Sequence, residues 1–137
     1  FLQEAQRNGM EARVIETENS MAGGFKAAAE FCAFTPRPDC LFCASDAIAM
    51  GVLRYFSTHG IAVPKDLELI SIGNGDQEQA QYSIPSLSVI YLPMEDMAQA
   101  CLKILLSMMK GDLSAPFSVE LPVTYIARES CRAIEEQ

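Results

Sequence analysis

The sequence predicts an α/β fold built on a doubly wound, parallel β-sheet, and three observations support that class. Short apolar segments alternate along the chain with amphipathic segments of about 10–15 residues, a pattern typical of βαβ units. Two of the predicted strands, 40–44 and 67–72, are apolar on nearly every position, as central parallel strands are. The chain has 137 residues, half of them hydrophobic, which is enough for one core without disulfides.

Each element in the first half of the chain has a local signal. Gly9 ends the first helix, and the pair Asn19 and Ser20 offers an N-cap for the second. Ser45 and Asp46 form a strong N-cap pair for the third helix, which Gly60 closes. The predicted elements are helices over 1–9, 21–34 and 47–58 and strands over 12–16 and 40–44.

The second half continues the alternation and ends in an extended segment. A glycine-rich loop, 73–76, follows a strand, and Pro93 is well placed in the first turn of an amphipathic helix. Pro122 lies in the last extended segment, which favours an edge strand over a central one. The predicted elements are strands over 67–72 and 87–92, helices over 77–82 and 94–110, and an edge segment over 117–127.

Charge and missing motifs exclude several functions. The net charge is −8, and ten basic residues are scattered among eighteen acidic ones, so contact of this segment with DNA is disfavoured. A dinucleotide loop starting at Gly73 would need a glycine where Glu78 stands, and neither a P-loop nor a nucleophile elbow occurs. The one histidine, His59, falls in the last turn of a helix, which favours a solvated or capping role over catalysis. The sequence therefore predicts no enzyme activity.

The five cysteines match neither a disulfide scaffold nor a metal site. Cys40 and Cys43 have the C-x-x-C spacing but lie on a predicted strand, where positions three apart point to opposite faces. We therefore expect structural cysteines in a reducing cytoplasm, with no metal and no cofactor.

Polar side chains follow three of the predicted strands, at the edge where open α/β sheets bind ligands. They are listed here as the candidate ligand-binding residues: Asn19, Ser45, Asp46, Asn74 and Asp76. Two interpretations stay open, because hydrogen bonding to a polar ligand and simple helix capping call for the same residue types.

Four segments together resemble the C-terminal part of the LacI/GalR family of bacterial transcription regulators. Pro38 to Gly51 is similar to the family pattern P-x-A-x-x-x-x-N-D-x-x-A-x-G, and Gly60 to Gly73 is similar to G-x-x-V-P-x-D-[IV]-x-[VL]-[IV]-G-[FY]-D. Ile84 to Ile90 resembles P-x-L-T-T-[IV], and Leu121 to Ser130 resembles the closing L-P-x-x-L-[IV]-x-R-x-S. The segments occur in the family's order and span most of the chain.

The resemblance implies a periplasmic-binding-protein-like fold of two lobes, with a helix-turn-helix DNA-binding domain elsewhere in the protein. On this interpretation residues 1–92 form most of the C-terminal lobe, and 93–114 form a crossover helix that belongs to the N-terminal lobe. Residues 115–137 return to the C-terminal lobe. The chain is expected to be a fragment, with operator DNA contacted only by a domain outside it.

The resemblance also implies roles for individual residues. The family's cleft residue after the second strand falls on Asn19, its N-D pair on Ser45 and Asp46, and its [FY]-D pair on Asn74 and Gly75, with Asp76 adjacent. The aromatic residue and the aspartate used for conventional hexoses and purines are thus replaced. Six positions match the family's homodimer face: Met50, Leu53, Arg54, Gln79, Tyr82 and Ile84. Helical spacing leaves open whether Met50 and Leu53 are core residues instead.

The function that the resemblance implies is that of a cytoplasmic, ligand-responsive regulator, usually a repressor. Its expected partners are a sugar-like or nucleoside-like effector and a second copy of the chain, with no membrane contact. The alternative is a periplasmic solute-binding protein of the same fold. An upstream helix-turn-helix or an upstream signal peptide would discriminate between the two.

Overall fold

The computed structural model describes residues 1–73, 77–112 and 118–132. Helices and strands alternate as the sequence predicts, and most bounds differ from the expected ones by one or two residues. The elements in chain order are α1 (Leu2–Arg7), α2 (Met21–Cys32), β1 (Cys40–Cys43), α3 (Asp46–Thr58), β2 (Glu68–Gly73), α4 (Gln77–Tyr82), β3 (Ser88–Tyr91), α5 (Met94–Lys110) and β4 (Thr124–Ile126).

The four strands form one sheet in the order β1-β2-β3-β4. β1 pairs with β2 and β2 with β3 in parallel, with Phe42 opposite Ile70 and Ile72 opposite Ile90. β4 pairs with β3 in the antiparallel direction and closes one edge. The predicted edge position of the Pro122-containing segment is confirmed, and the sheet is mixed because this strand runs against the others.

Two strand predictions were wrong. The segment 12–16 is not a strand in the structure, and β1, interpreted as a central strand, lies at the edge of the described sheet. Both differences have one physical cause. A cavity separates 12–16 from β1, so neither backbone has a neighbour within hydrogen-bonding distance on that side.

The core lies between the sheet and the pair α2 and α3. It contains Phe31 of α2, Phe56 of α3 and Leu69 of β2, each at most 2% exposed, and the two phenylalanine rings lie 5.9 Å apart. The two helices touch backbone to backbone. A Cβ added to Gly24 would lie 2.1 Å from the Ile48 carbonyl oxygen, and one added to Gly51 would lie 2.0 Å from that of Met21.

The segment after β4 binds back onto the sheet through buried hydrogen bonds. The Ser130 hydroxyl donates to the Leu69 carbonyl at 2.6 Å and accepts from the Ser88 amide at 2.8 Å. The Arg128 guanidinium donates to the Leu87 carbonyl at 2.6 Å. Arg128 and Ser130 are the R-x-S pair of the closing sequence motif, so the structure gives these two residues a role in holding the sheet together.

α5 differs from the other long helices because none of its residues is buried. No described element packs along it, and its apolar side chains, Leu105 and Met109 among them, are exposed. Within the described residues no helix is both long and apolar enough to cross a membrane.

Candidate functional site

The carboxyl end of β1 and the loop before α2 meet through two side chains, Asn19 and Ser45. The Ser45 hydroxyl donates to Asn19 Oδ1 at 2.5 Å. The same oxygen accepts from the Ile48 amide at 3.3 Å and so caps α3. Ser45 therefore has a structural role as a cap and also fixes the orientation of the exposed Asn19 side chain, with the amide nitrogen left to donate to another group.

Asp46 is turned toward the neighbouring strand. The Ser71 hydroxyl, fully buried in β2, donates to Asp46 Oδ1 at 2.5 Å. A Cβ at Gly73 would lie 3.1 Å from Asp46 Oδ2, so the end of β2 passes close to the second carboxylate oxygen. Asp46 thus holds the ends of β1 and β2 together and has one oxygen near the open edge. Sequence reasoning missed Ser71, although a serine within an apolar strand is a signal of this kind of buried contact.

Cys43 lies directly beneath this edge and is 3% exposed. Burial raises the pKa of its thiol to about 12, and the negative charge of Asp46 adds to the effect. A thiol with this pKa is protonated at neutral pH and is a poor nucleophile. The site therefore offers hydrogen bonds rather than a reactive sulfur.

Asn74 and Asp76 lie outside the described residues. Gly73, the last residue of β2 before them, is at the same edge of the sheet as Ser45. The structure thus brings Asn19, Ser45 and Asp46 together and leaves the roles of Asn74 and Asp76 as predictions.

The edge is an open surface rather than an enclosed pocket. Neither a cavity of about 950 Å³ beside β1 nor a smaller one of about 320 Å³ beside α2 is lined by Asn19, Ser45 or Asp46. Among the described side chains no group of three or more His, Cys, Asp or Glu could hold a metal ion. The arrangement can hydrogen-bond a polar molecule from one side.

His59 lies at the other end of α3, away from this edge. It is the C-cap residue of the helix, its Nδ1 is 2.9 Å from the Tyr55 carbonyl oxygen, and its ring stacks on Tyr55 at 3.8 Å. The interpretation of His59 as a capping residue is confirmed.

The six residues expected at a dimer face fall into two groups. Tyr82 and Ile84 are 74% and 91% exposed, and Arg54 and Gln79 are also exposed. Met50 is half-buried, whereas Leu53 is 6% exposed and belongs to the core cluster. Leu53 thus belongs to the core of this chain, which is the alternative that helical spacing left open, and the dimer face stays a prediction for the other positions.

Comparison with known proteins relates this arrangement to one family. The model of the periplasmic binding protein-like domain matches residues 1–131. The HTH-type transcriptional repressor PurR of Escherichia coli O1:K1 / APEC is 27% identical over 129 residues, which are 94% of this chain and 37% of the repressor.

Solved structures show the same likeness. A LacI family transcription regulator from Clostridium acetobutylicum has 31% identity and a TM-score of 0.79, with 93% of this chain and 48% of that chain covered. A complex of the transcriptional regulator CelR with cellobiose has 25% identity and a TM-score of 0.82, with 94% and 40% covered. The chain thus spans less than half the length of these proteins.

Proposed function

Because the chain belongs to the periplasmic-binding-protein-like family and its relatives include LacI-family regulators, we propose that it is the effector-binding part of a ligand-responsive transcription regulator. The LacI/GalR resemblance and the periplasmic-binding-protein-like fold class predicted from the sequence are both confirmed by those matches. The proposal includes three interactions: binding of a small-molecule effector, binding of DNA by a domain outside this chain, and dimerisation with a second copy.

The observation that carries the proposal is the polar edge formed by Asn19, Ser45 and Asp46. Asn19 is held by Ser45 at 2.5 Å and exposed, so its orientation is fixed before any ligand arrives. A preorganised donor loses less freedom on binding than a mobile one. Asn74 and Asp76 follow β2 at the same edge and complete the proposed set of ligand-binding residues.

The effector that fits this set is a small molecule rich in hydroxyl or ring nitrogen groups, a sugar-like or nucleoside-like compound. Amide, hydroxyl and carboxylate groups together both donate and accept hydrogen bonds, as such ligands require. The structure of CelR in complex with cellobiose is an example of a protein with a related fold that binds a saccharide. Asn19 stands where LacI/GalR regulators often have an aromatic side chain, so the preferred compound differs from a conventional hexose or purine.

The uncovered apolar face of α5 supports the proposed division of the chain into lobes. We assign 1–92 and 115–137 to the lobe that carries the polar edge, and 93–114 to a second lobe. Leu102, Leu105 and Met109 of α5 are each more than half exposed. In a protein that includes the second lobe we expect these side chains to be buried against it, since apolar surface of this extent marks a contact.

An effector can alter DNA binding only if it prefers one arrangement of the two lobes over another.

We place the protein in the cytoplasm as a regulator. The second candidate, a periplasmic solute-binding protein, is favoured by the family model alone, whereas the relatives at 27% and 31% identity are regulators.

A thermal-shift screen tests the proposal. The protein, expressed with its upstream reading frame, is heated with hexoses, disaccharides including cellobiose, sugar phosphates and nucleosides. A compound present at 100 times its Kd stabilises a protein by about 2.7 kcal/mol. We expect a hit, and we expect Asn19→Ala to weaken it about tenfold, which corresponds to one lost hydrogen bond of about 1.4 kcal/mol.

Ser57→Ala is the matched control, because Ser57 is exposed on α3 at the end far from Ser45. It should leave the response unchanged. A panel without any hit, or a hit equally strong in Asn19→Ala and Asp76→Ala, would contradict the proposed ligand residues.

A further inference from the structure

The last residue of β3, Tyr91, lies beside the polar edge. β1, β2 and β3 are parallel, so their carboxyl ends meet at the same side of the sheet. Tyr91 pairs with Gly73, the last residue of β2, and the Leu92 amide donates to the Gly73 carbonyl at 3.1 Å. The backbone around Tyr91 is therefore held at the edge where Ser45 and Asp46 lie.

Tyr91 also lies on the same face of the sheet as the Asp46 carboxylate. Side chains alternate along a strand, and Val89, two residues before Tyr91, is 2% exposed in the core that α2 and α3 cover. A Cβ added to Gly73 would lie 3.5 Å from the Val89 Cβ and 3.1 Å from Asp46 Oδ2. Because Gly73 has no side chain, β2 leaves the space between Asp46 and Tyr91 open, and such a glycine is typical of a place where a ligand approaches the backbone.

The Tyr91 side chain is half-buried, so part of its ring surface is exposed. Among the described residues it pairs with no other aromatic ring, and it is not one of the side chains that pack against the core cluster. Tyr55, by comparison, packs against that cluster and stacks on His59 at 3.8 Å. Tyr91 is thus an aromatic side chain that its strand holds in place and that has ring surface available to a ligand.

An aromatic ring adds a kind of contact that Asn19, Ser45 and Asp46 do not provide. These three bind through hydrogen bonds, whereas an aromatic ring packs against the flat face of a ligand ring. Small-molecule sites combine aromatic surface with a few polar groups that fix orientation. LacI/GalR regulators often have an aromatic residue at the position of Asn19, and in this chain an aromatic residue lies at the end of β3 instead.

The width of the edge limits the shape of a ligand that uses both contacts. Neighbouring strands lie about 4.8 Å apart, so the ends of β1 and β3 are separated by about 10 Å. Asn19 is bound to Ser45 at the end of β1, and Tyr91 is at the end of β3. A compound with two linked rings, such as a disaccharide or a nucleoside, can span this width.

Building on the proposed function, we propose that Tyr91 is the aromatic contact of the effector. The effector has two linked rings, one packed on Tyr91 and the other hydrogen-bonded to Asn19. Disaccharides and nucleosides share this shape, and the thermal-shift screen contains both, so the class of its hits distinguishes the two sources.

Calorimetric titration with the strongest hit of that screen tests the contact, in wild type and variants that include the upstream reading frame. Tyr91→Phe keeps the ring and should bind within about threefold of wild type, whereas Tyr91→Leu loses the ring and should bind about tenfold more weakly. Tyr125→Leu is the matched control. Tyr125 pairs with Ile90, one position before Tyr91, so it faces the other side of the sheet and its substitution should leave the Kd unchanged.

A Kd of Tyr91→Leu equal to that of wild type overturns the contact. If this variant does not fold, Tyr91→Trp places a tryptophan in a sequence that has none. Addition of the hit should then shift the fluorescence emission of Tyr91→Trp relative to wild type, and an unchanged emission overturns the contact.

The shape of the effector is tested by titrating wild type with the hit and with its own single-ring component, as cellobiose with glucose or uridine with uracil. The two-ring compound should bind at least about tenfold more tightly, and equal affinity, or a single-ring compound as the strongest hit, overturns the two-ring assignment. A screen in which nothing binds contradicts the proposed function and this inference with it. A hit whose Kd is the same in Tyr91→Leu contradicts only the role of Tyr91.

Discussion

At the scale of single residues, side chains that the sequence marks as polar or reactive have mainly structural contacts. Asp46 accepts from Ser71 across two strands, and Ser130 satisfies two buried backbone groups. Among the described residues of the polar edge, only Asn19 combines a fixed orientation with an exposed position. The polar residues of the edge therefore differ in role, and Asn19 is the one to substitute first.

The Cys43 thiol gives a prediction on pH dependence. Its pKa is about 12 in the folded protein, against an ordinary value of 9.0. The unfolded chain therefore loses this proton near pH 9 while the folded chain retains it. The contribution of this protonated thiol to the unfolding free energy is fully present below pH 9. It is lost as the pH rises toward 12, by up to about 1.4 kcal/mol per pH unit.

Denaturant titrations of wild type and Cys43→Ala between pH 8 and about pH 11 measure this effect. The difference in unfolding free energy between the two proteins should shrink as the pH rises. Parallel curves would contradict the assignment of a buried, protonated thiol. Ser57→Ala, on the exposed face of α3, is the control without a thiol, and its curve should run parallel to wild type.

At the scale of elements, the contact between α2 and α3 depends on glycine. A Cβ at position 51 would lie 2.0 Å from a backbone oxygen of α2, and helix backbones have no flexible end that could give way. We expect Gly51→Ala to destabilise the protein by about 3 kcal/mol or more, at the upper end of overpacking effects. The gain in helix propensity, about 1 kcal/mol, is too small to offset this.

Chemical denaturation of Gly51→Ala, with Ser57→Ala on the exposed face of α3 as control, measures this difference. Ser57→Ala should change the unfolding free energy by less than about 0.5 kcal/mol. Equal stabilities of Gly51→Ala and wild type would show that the helices are packed less closely than the structure has them.

The sequence predicts most elements because their signals are local. Ser20 and Ser45 cap α2 and α3 as expected, through their bonds to Gly23 and Ile48. Sequence reasoning failed where pairing partners decide the outcome. The segment 12–16 has the composition of a strand, yet a strand exists only with a neighbour, and the structure places a cavity there.

In the candidate site, too, some contacts follow from the sequence and others depend on how the elements pack. The meeting of Asn19 with Ser45 follows from the rule that parallel strands end at one edge. The contact of Asp46 with Ser71 does not follow from it, because periodicity leaves the direction of a capping side chain undefined. Leu53 shows a related failure, since helical spacing alone fits core and surface equally well.

At the scale of the whole molecule, the exposed apolar surfaces indicate contacts with other polypeptide segments. We expect Tyr82 and Ile84, at the end of α4, to lie in a homodimer interface, with Met50, Arg54 and Gln79 beside them. The double substitution Tyr82→Asp and Ile84→Asp should lower the sedimentation coefficient from the value of a dimer to that of a monomer. The reason is that it places two charges in an apolar contact. Val119→Asp is the control, as Val119 is 51% exposed in a different segment.

A double variant that stays dimeric would contradict this interface. Leu53→Asp is unsuitable for the test, because Leu53 is buried in the core and its loss would unfold the chain rather than separate two copies.

We propose above all that a small polar effector binds at the edge formed by the ends of β1 and β2. The decisive measurement is the change in backbone amide chemical shifts of the protein on addition of the strongest hit from the thermal-shift screen. We expect the shifted amides to cluster at residues 18–20, 45–46 and 73–76. Shifts confined to the residues that line the cavity beside β1, 10–17 and 40–42, would show that the effector binds elsewhere.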